Sequence, residues 1–401
     1  MKKIILKLHL WISLPFGLII ALICFTGSIM VFEKEINELV YKERYKAASV
    51  SGERITPAEA AAAAAALLPD TLRIASVQIP FDKEATYAVS TPGRRRITVY
   101  VDPYTAKVTA IQNPGDGKFF STVRELHRWL SFRGENRTLG KRITGVTTFA
   151  MVVILITGLI AWIPKSRRGL KNRLRISLSH GPRRLWHDLH VAGGFYSMLL
   201  LLLMSLTGLT WSFDWYRDAT YKLFGAEPPA AATPVAAAPA TATPAPAIAP
   251  APEQKTSPAA TSPEHQPAPR ATDFTVWETA LVEVLNVAPA WKTITITDGS
   301  IQVVPDKPFG NSRASDRYKF DKKSGHITDA ELYQDQPKAS KLRGWLYSLH
   351  TGSWGGAVVK GIYLLAALMG GVLPLTGYYM YAKRVFRKTS KPASSRRWSH
   401  H

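Results

Sequence analysis

Four long stretches without a charged side chain constrain the fold of this 401-residue chain more than any other feature. About 20 apolar residues in a helix cross the hydrocarbon core of a bilayer, so each stretch predicts a membrane-spanning helix. A soluble fold would instead have to bury four helices that are apolar on every side. The first stretch is followed by Glu33 rather than by a cleavage site, so we expect it to remain as an anchor. The stretches are residues 8–32, 143–163, 191–213 and 361–382.

A Thr-Gly pair recurs near the end of every apolar stretch. In each case the residue six positions after the glycine ends the apolar run. The spacing from His9 to Thr26 is 17 residues, and so is the spacing from His190 to Thr207. This internal repeat predicts four quarters within two halves. Small residues let membrane helices approach closely, so helix packing is the role that we expect for these pairs. The four threonines are Thr26, Thr157, Thr207 and Thr376.

The net charge of +22 is distributed as a membrane topology signal. Lysine and arginine are concentrated in three segments: before the first stretch, between the second and third, and after the fourth. Asp188 is the only acidic residue in these three segments. By the positive-inside rule both termini and the short loop face the cytoplasm, and the two long loops face outward. We expect the excess of lysine and arginine to contact anionic lipids of the bilayer, so it does not predict a nucleic-acid partner.

The two long loops predict small folded modules. Each begins with a helix and continues with short strands of alternating polarity, and residues 318–321 parallel residues 99–102. Thr56 and Glu59 form a predicted capping box at the first of these helices. Neither loop contains an obvious catalytic cluster. The predicted fold is therefore an α-helical membrane protein with four transmembrane helices in two repeated halves, each with a small α+β outer module.

The predicted segments follow one another in a fixed order. They are a transmembrane helix (8–33), an outer module (53–112), an interfacial helix (119–132), a transmembrane helix (141–164), a basic cytoplasmic loop (165–185), a transmembrane helix (186–214), a linker rich in proline and alanine (227–270), an outer module (273–333), an interfacial segment (341–351) and a transmembrane helix (357–382).

The cysteine content of the chain excludes several kinds of covalent and metal site. Cys24 is the single cysteine, so the chain has no internal disulfide and no cysteine metal site. Without a C-x-x-C-H motif, covalent attachment of c-type haem is excluded. The basic loop is too short for a nucleotide-binding domain and contains no G-x-G-x-x-G motif.

Histidines at the predicted membrane boundaries are the candidate ligands. Imidazoles from two facing helices can occupy both axial positions of a haem iron, so we predict two haem b groups. One would lie between His9 and His190 on the cytoplasmic side, the other between His127 and His350 on the outer side. His187 competes with His190, three residues earlier on the same helix face, although the spacing to Thr-Gly favours His190. A zinc or copper site is a weaker alternative, as is a purely interfacial role.

Basic side chains near these histidines are candidates for binding haem propionates or another anion, or for anchoring at the interface. The tryptophans of the same regions are typical of an aromatic belt. The basic candidates are Arg128, Lys141, Arg142 and Arg343 outside, and Arg184 inside.

Several motifs together resemble the PepSY-associated transmembrane family of bacteria over nearly the whole chain. They are Thr56-Pro-Ala-Glu-Ala, Val99-Tyr-Val-Asp-Pro-Tyr-Thr, Leu126-His-Arg-Trp, Asp188-Leu-His with Gly193, and Leu349-His-Thr-Gly. The resemblance implies an inner-membrane protein of iron uptake, similar to haem-containing ferric-siderophore reductases. His9, His127, His190 and His350 match the boundary histidines of that family. The chain departs from the pattern of that family in two places. Leu-Trp follows His9 where the family usually has Arg-Trp, and the chain has a long linker, which predicts a loosely held second module.

Two functions follow as hypotheses. In the first, a cytoplasmic or quinol donor supplies electrons, two haems carry them across the bilayer, and a ferric siderophore is reduced in the periplasm. In the second, the protein is a membrane anchor without redox chemistry, whose outer modules bind a periplasmic protein or peptidase.

Overall fold

The computed structural model describes residues 2–69, 71–93, 96–164, 166–228, 274–307 and 309–389. Most of the predicted linker, residues 229–270, lies outside this part of the chain. The long helices are α1 (Lys2–Met30), α6 (Arg137–Trp162), α9 (Gly194–Ser212) and α13 (Gly356–Thr389). The shorter helices are α2 (Glu33–Val40), α3 (Lys42–Tyr45), α4 (Pro57–Ala65), α5 (Lys118–Trp129), α7 (Arg167–Leu174), α8 (Gly181–Asp188), α10 (Asp214–Leu223), α11 (Val276–Val287) and α12 (Lys338–Thr351).

Four helical segments among the described residues are long and apolar enough to cross a membrane. They coincide with the four predicted spans. The third is continuous from α8 to α9 through a π-helical segment, Leu189–Gly193, a local widening that is frequent at functional sites. The segments are Lys2–Met30, Gly134–Trp162, Gly181–Ser212 and Ser353–Phe386.

The spanning helices form a closed four-helix bundle. Helix α1 packs against α6 and α13, and α9 packs against the same two helices from the opposite side. The centre is filled by apolar side chains, while residues such as Leu18, Leu199 and Leu365 are exposed on the outside, as lipid-facing positions require. The buried residues of this core are Ile20, Cys24, Met151, Leu155 and Leu201.

The segments outside the helical bundle contain one antiparallel sheet of eight strands. The strand order is β4-β3-β2-β1-β5-β6-β7-β8. The sequence predicted short strands in both modules, and the structure has four in each. The strands are β1 (Ser76–Pro80), β2 (Tyr87–Ser90), β3 (Thr98–Val101), β4 (Val108–Gln112), β5 (Trp291–Thr297), β6 (Ser300–Pro305), β7 (Asp316–Phe320) and β8 (Ile327–Glu331).

The sheet unites what the sequence suggested were two separate modules. Strand β1 pairs with β5, with Val77 opposite Ile296 and Ile79 opposite Ile294, and these four side chains are buried. Each four-stranded meander alone would leave this edge unpaired and apolar, so edge-to-edge pairing satisfies the backbone groups and hides the side chains. The second module is thus hydrogen-bonded to the first, in contrast to the loose attachment expected from the linker.

Helices α4 and α11 cover one face of the sheet and share its core. Ala60 and Ala64 of α4 and Trp277 and Val284 of α11 are buried in one cluster with the strands. The capping box predicted for α4 is confirmed, because the Thr56 amide donates to Glu59 Oε2 (2.8 Å) and the Glu59 amide donates to Thr56 Oγ1 (3.2 Å).

The β1–β5 junction can be tested by cross-linking. Gln78 and Thr295 are Cα partners across it, so Gln78→Cys with Thr295→Cys should form a disulfide under mild oxidation. Gln302 pairs with Thr295 on the next strand, and a Gln78→Cys/Gln302→Cys control spans two strand spacings, roughly 9.6 Å, beyond disulfide reach. Mass spectrometry of proteolytic peptides measures both, and equal cross-linking of the two pairs would contradict a single sheet.

Candidate functional site

Two histidines meet inside the bundle at the end where the chain begins. His9 belongs to α1 and His190 to the π-helical segment, and their ring centres are 6.3 Å apart with an angle of 87° between the planes. The structure therefore brings together the two residues that the sequence paired at this end.

Two further histidines meet at the opposite end. His127 of α5 and His350 of α12 have ring centres 6.3 Å apart and an interplanar angle of 61°. Neither helix spans the bundle, but each packs against a spanning helix, α5 against α1 and α12 against α9. Along α1, the 17 residues between His9 and Thr26, which contacts His127, separate the two pairs by about 25 Å.

All four histidines have the same hydrogen-bonding environment at Nδ1, formed by a carbonyl oxygen and a threonine hydroxyl of a neighbouring spanning helix. The threonine is always that of a Thr-Gly pair. The contacts are His9 with Ile154 O (3.1 Å) and Thr157 Oγ1 (3.2 Å), His127 with Ile23 O (2.9 Å) and Thr26 Oγ1 (3.3 Å), His190 with Leu373 O (3.1 Å) and Thr376 Oγ1 (2.8 Å), and His350 with Met204 O (2.9 Å) and Thr207 Oγ1 (3.2 Å).

These partners determine which ring nitrogen carries the proton. A carbonyl oxygen can only accept, and each threonine hydroxyl already donates to a carbonyl of its own helix, as Thr376 does to Leu373. Nδ1 must therefore be the donor, which leaves Nε2 with a free lone pair. Metal-ligating histidines are oriented in this way by a second hydrogen bond to the other nitrogen.

The glycine of each Thr-Gly pair provides space for the imidazole. A Cβ atom on Gly27 would lie 3.0 Å from Cε1 of His127, and one on Gly158 would lie 3.1 Å from Cε1 of His9. The corresponding distances are 3.2 Å at Gly208 and 3.5 Å at Gly377. The sequence predicted a helix-packing role for these pairs, whereas the structure uses each one to seat a histidine from another helix.

Burial favours the neutral form of the two histidines at this opposite end, His127 and His350. It lowers the pKa of His127 and of His350 to about 4, more than their hydrogen bonds to backbone carbonyls raise it. The neutral imidazole is the form that ligates a metal.

The spacing of each pair fits two imidazoles on one iron. Two metal–nitrogen bonds of about 2.0–2.1 Å, plus about 1.1 Å from each nitrogen to its ring centre, separate the ring centres by about 6.2–6.4 Å. The observed 6.3 Å matches at both ends. Rotation about the metal–nitrogen axis leaves ligation unchanged, so both interplanar angles are compatible. The described residues contain no group of three or more His, Cys, Asp or Glu that would hold a metal ion by itself.

A cavity of about 660 Å³ surrounds His9 and His190. Its walls are mostly apolar, and its charged lining residues are Arg173 and Arg384, without a carboxylate. The indole Nε1 of Trp162, which also lines the cavity, is buried without a hydrogen-bond partner. An apolar slot with two imidazoles, cationic residues and an unused N–H donor suits haem, which is an apolar macrocycle carrying two carboxylates.

His187 lines the same cavity but lies outside the pair. Its Nδ1 contacts Oδ1 of the buried Asp188 at 3.2 Å, and Arg184 donates to the same carboxylate. The geometry therefore gives the paired position to His190 rather than to its competitor. Arg184, a predicted anion-binding candidate, forms an ion pair with the carboxylate of Asp188.

Among the residues that the sequence did not single out for the site, the Thr-Gly threonines are the most consequential. The sequence contained a signal for them, because it has four boundary histidines and four Thr-Gly pairs. Each histidine, however, contacts a Thr-Gly pair that belongs to a different helix. On the outer side, the ring centre of Trp211 is 5.2 Å from that of His350, a contact beyond the expected role in an aromatic belt.

The hydrogen bond from histidine to threonine should be measurable as a coupling energy. In a double-mutant cycle with His190→Ala, Thr376→Val should show a coupling on the order of 1 kcal/mol, because it removes the 2.8 Å acceptor. Thr148→Val is the matched control, since the hydroxyl of Thr148 donates to Thr144 of its own helix. Unfolding in mixed detergent measures the free energies. Equal coupling for both threonines would contradict the assignment.

Comparison with known proteins gives one family. A family model described as "PepSY-associated TM region" matches residues 6–384. No curated protein sequence matches the chain.

Proposed function

The chain belongs to the family of PepSY-associated TM regions, and we propose that it binds two haem b groups and carries electrons across a membrane to a ferric chelate. One observation carries the proposal. Two pairs of imidazoles, each with Nδ1 engaged and ring centres 6.3 Å apart, lie near opposite ends of one helical bundle.

Two sites are needed because of the thickness of the bilayer. The hydrocarbon core is about 30 Å across, and the two histidine pairs are separated by about 25 Å along α1. One pair would therefore lie near each face of the hydrocarbon core. Haem, when bound, supplies one-electron transfer, while the protein supplies ligation, orientation and electrostatics. His9 and His190 would hold one haem, and His127 and His350 the other.

The charge distribution supports the direction of transfer. We assign both termini and the segment with α7 and α8 to the cytoplasm and the eight-stranded sheet to the periplasm, following the positive-inside rule in a bacterial inner membrane. A cytoplasmic reductant or a quinol would then donate at the His9 end. One electron reduces one Fe(III) of a ferric siderophore to Fe(II) at the other end, and the softer Fe(II) is held less tightly by hard oxygen ligands.

Haem analysis of histidine variants tests the proposal. The purified wild-type protein should carry two haems with a bis-histidine Soret spectrum. His9→Ala or His190→Ala should remove one haem, and His127→Ala or His350→Ala the other, because one of the two imidazoles that would hold that haem is lost. The measurement is haem per protein by pyridine haemochrome assay.

His187→Ala and His326→Ala serve as controls and should retain both haems. His326 contacts Glu283 of α11 at the protein surface and belongs to neither pair. A colourless wild-type protein would refute the proposal and favour the non-redox anchor whose sheet binds a periplasmic protein or peptidase.

A further inference from the structure

Three arginines converge beside the outer histidine pair. Arg128 directly follows His127 in α5, Arg137 begins α6, and Arg313 lies in the loop between β6 and β7. All three are exposed to water. Arg128 and Arg137 both lie beside the ring of Trp129, and Arg313 lies beside the ring of Tyr347 in α12, three residues before His350, although the three arginines come from separate parts of the chain.

Aromatic rings lie beside all three guanidinium groups, in close contact for Arg137 and Arg313. The Cζ atom of Arg137 lies 3.5 Å from the centre of the Trp129 ring, and that of Arg128 lies 5.7 Å from it. The Cζ atom of Arg313 lies 3.8 Å from the centre of the Tyr347 ring. Stacking uses the face of a guanidinium and leaves its N–H edges available for bidentate contacts with oxyanions.

The three arginines lack carboxylate partners among the described residues. The nearby Arg124 is neutralised by Glu33, and Arg133 by Glu125. The other arginine ion pairs of the described part of the chain also involve neither Arg128 nor Arg137 nor Arg313. Three like charges held together repel one another, and this arrangement is stabilised when an anion binds between them.

The loop that carries Arg313 is fixed to the helix that carries His350. Asn311 donates to the carbonyl of Lys341 in α12 (3.4 Å), and the Ser312 amide donates to Oγ of Ser348, which is fully buried two residues before His350. The position of Arg313 relative to the histidine pair is therefore built into the fold.

We propose that Arg128, Arg137 and Arg313 form an oxyanion site that binds a multiply negatively charged ferric chelate next to the outer histidine pair. This inference rests on the proposed function, for which it specifies the substrate class. The site would favour iron held by carboxylates or catecholates, whose complexes are anionic, over a neutral ferric trihydroxamate. The same oxyanion chemistry is offered by the propionates of a bound haem, and the experiment separates the two sources.

Binding of gallium(III) citrate by the purified full-length protein tests the site without any redox step. Gallium(III) replaces iron(III) and is not reduced, and equilibrium dialysis gives its dissociation constant. Arg128→Gln, Arg137→Gln and Arg313→Gln should each weaken binding on the order of tenfold, and higher salt should weaken binding by the wild-type protein. Binding of the neutral gallium trihydroxamate ferrichrome analogue should not change.

Arg317→Gln is the matched control. It removes the same charge from strand β7, but Arg317 faces the carboxylate of Glu331 (4.0 Å) and is not one of the three clustered arginines, so binding of gallium citrate should persist. The three test variants are at exposed positions on separate elements, so misfolding of one leaves the other two informative.

Two outcomes would overturn the proposal. If the variants lose haem or shift the Soret band while binding gallium citrate normally, the arginines serve haem propionates. If neither haem content nor gallium binding changes, the cluster is not an oxyanion site. A wild-type protein without haem would instead defeat the proposed function, and the gallium measurement would still report on the arginines.

Discussion

The hydrogen bond from histidine Nδ1 to the backbone and hydroxyl of a Thr-Gly pair is the contact on which the site depends. It occurs four times, and each time the histidine and the Thr-Gly pair belong to different helices. An imidazole inside an apolar bundle needs a partner for its N–H, and this contact provides one while fixing the tautomer. Nε2 is left for ligation, so the contact that satisfies a buried polar group also prepares the ring for its proposed task.

The outer sheet adds a second link between the parts of the chain that bear these histidines. Strands β1 and β5 pair through buried residues such as Val77 and Ile296, so segments far apart in sequence are joined outside the bundle as well as within it. The loop with Arg313 extends from this sheet and is bonded to α12 next to His350. The sheet therefore contributes to the surroundings of the outer histidine pair, where the proposed electron acceptor would bind.

The two ends of the bundle have different chemical surroundings. The His9 end has an apolar cavity with Arg173 and Arg384 in its lining and the unpaired indole N–H of Trp162. The His127 end is flanked by water-exposed arginines stacked on Trp129 and Tyr347. An apolar cavity at one end and an exposed cationic surface at the other are compatible with the proposed transfer of electrons to a soluble anion.

The sequence by itself determined the four spans, the presence of strands in both modules, the capping box at Thr56 and the pairing of His9 with His190 and of His127 with His350, because these follow from local polarity and from repeated spacings along the chain. It did not determine that Thr-Gly pairs seat histidines, that the two modules share one sheet, or that Arg313 lies against α12 near His350. Those features depend on which residues of separate helices and strands meet, and spacing along one segment carries no information about the rotation and register of its neighbour. Only the tertiary structure decided them, through the requirement that buried N–H groups and strand edges find partners elsewhere in the chain.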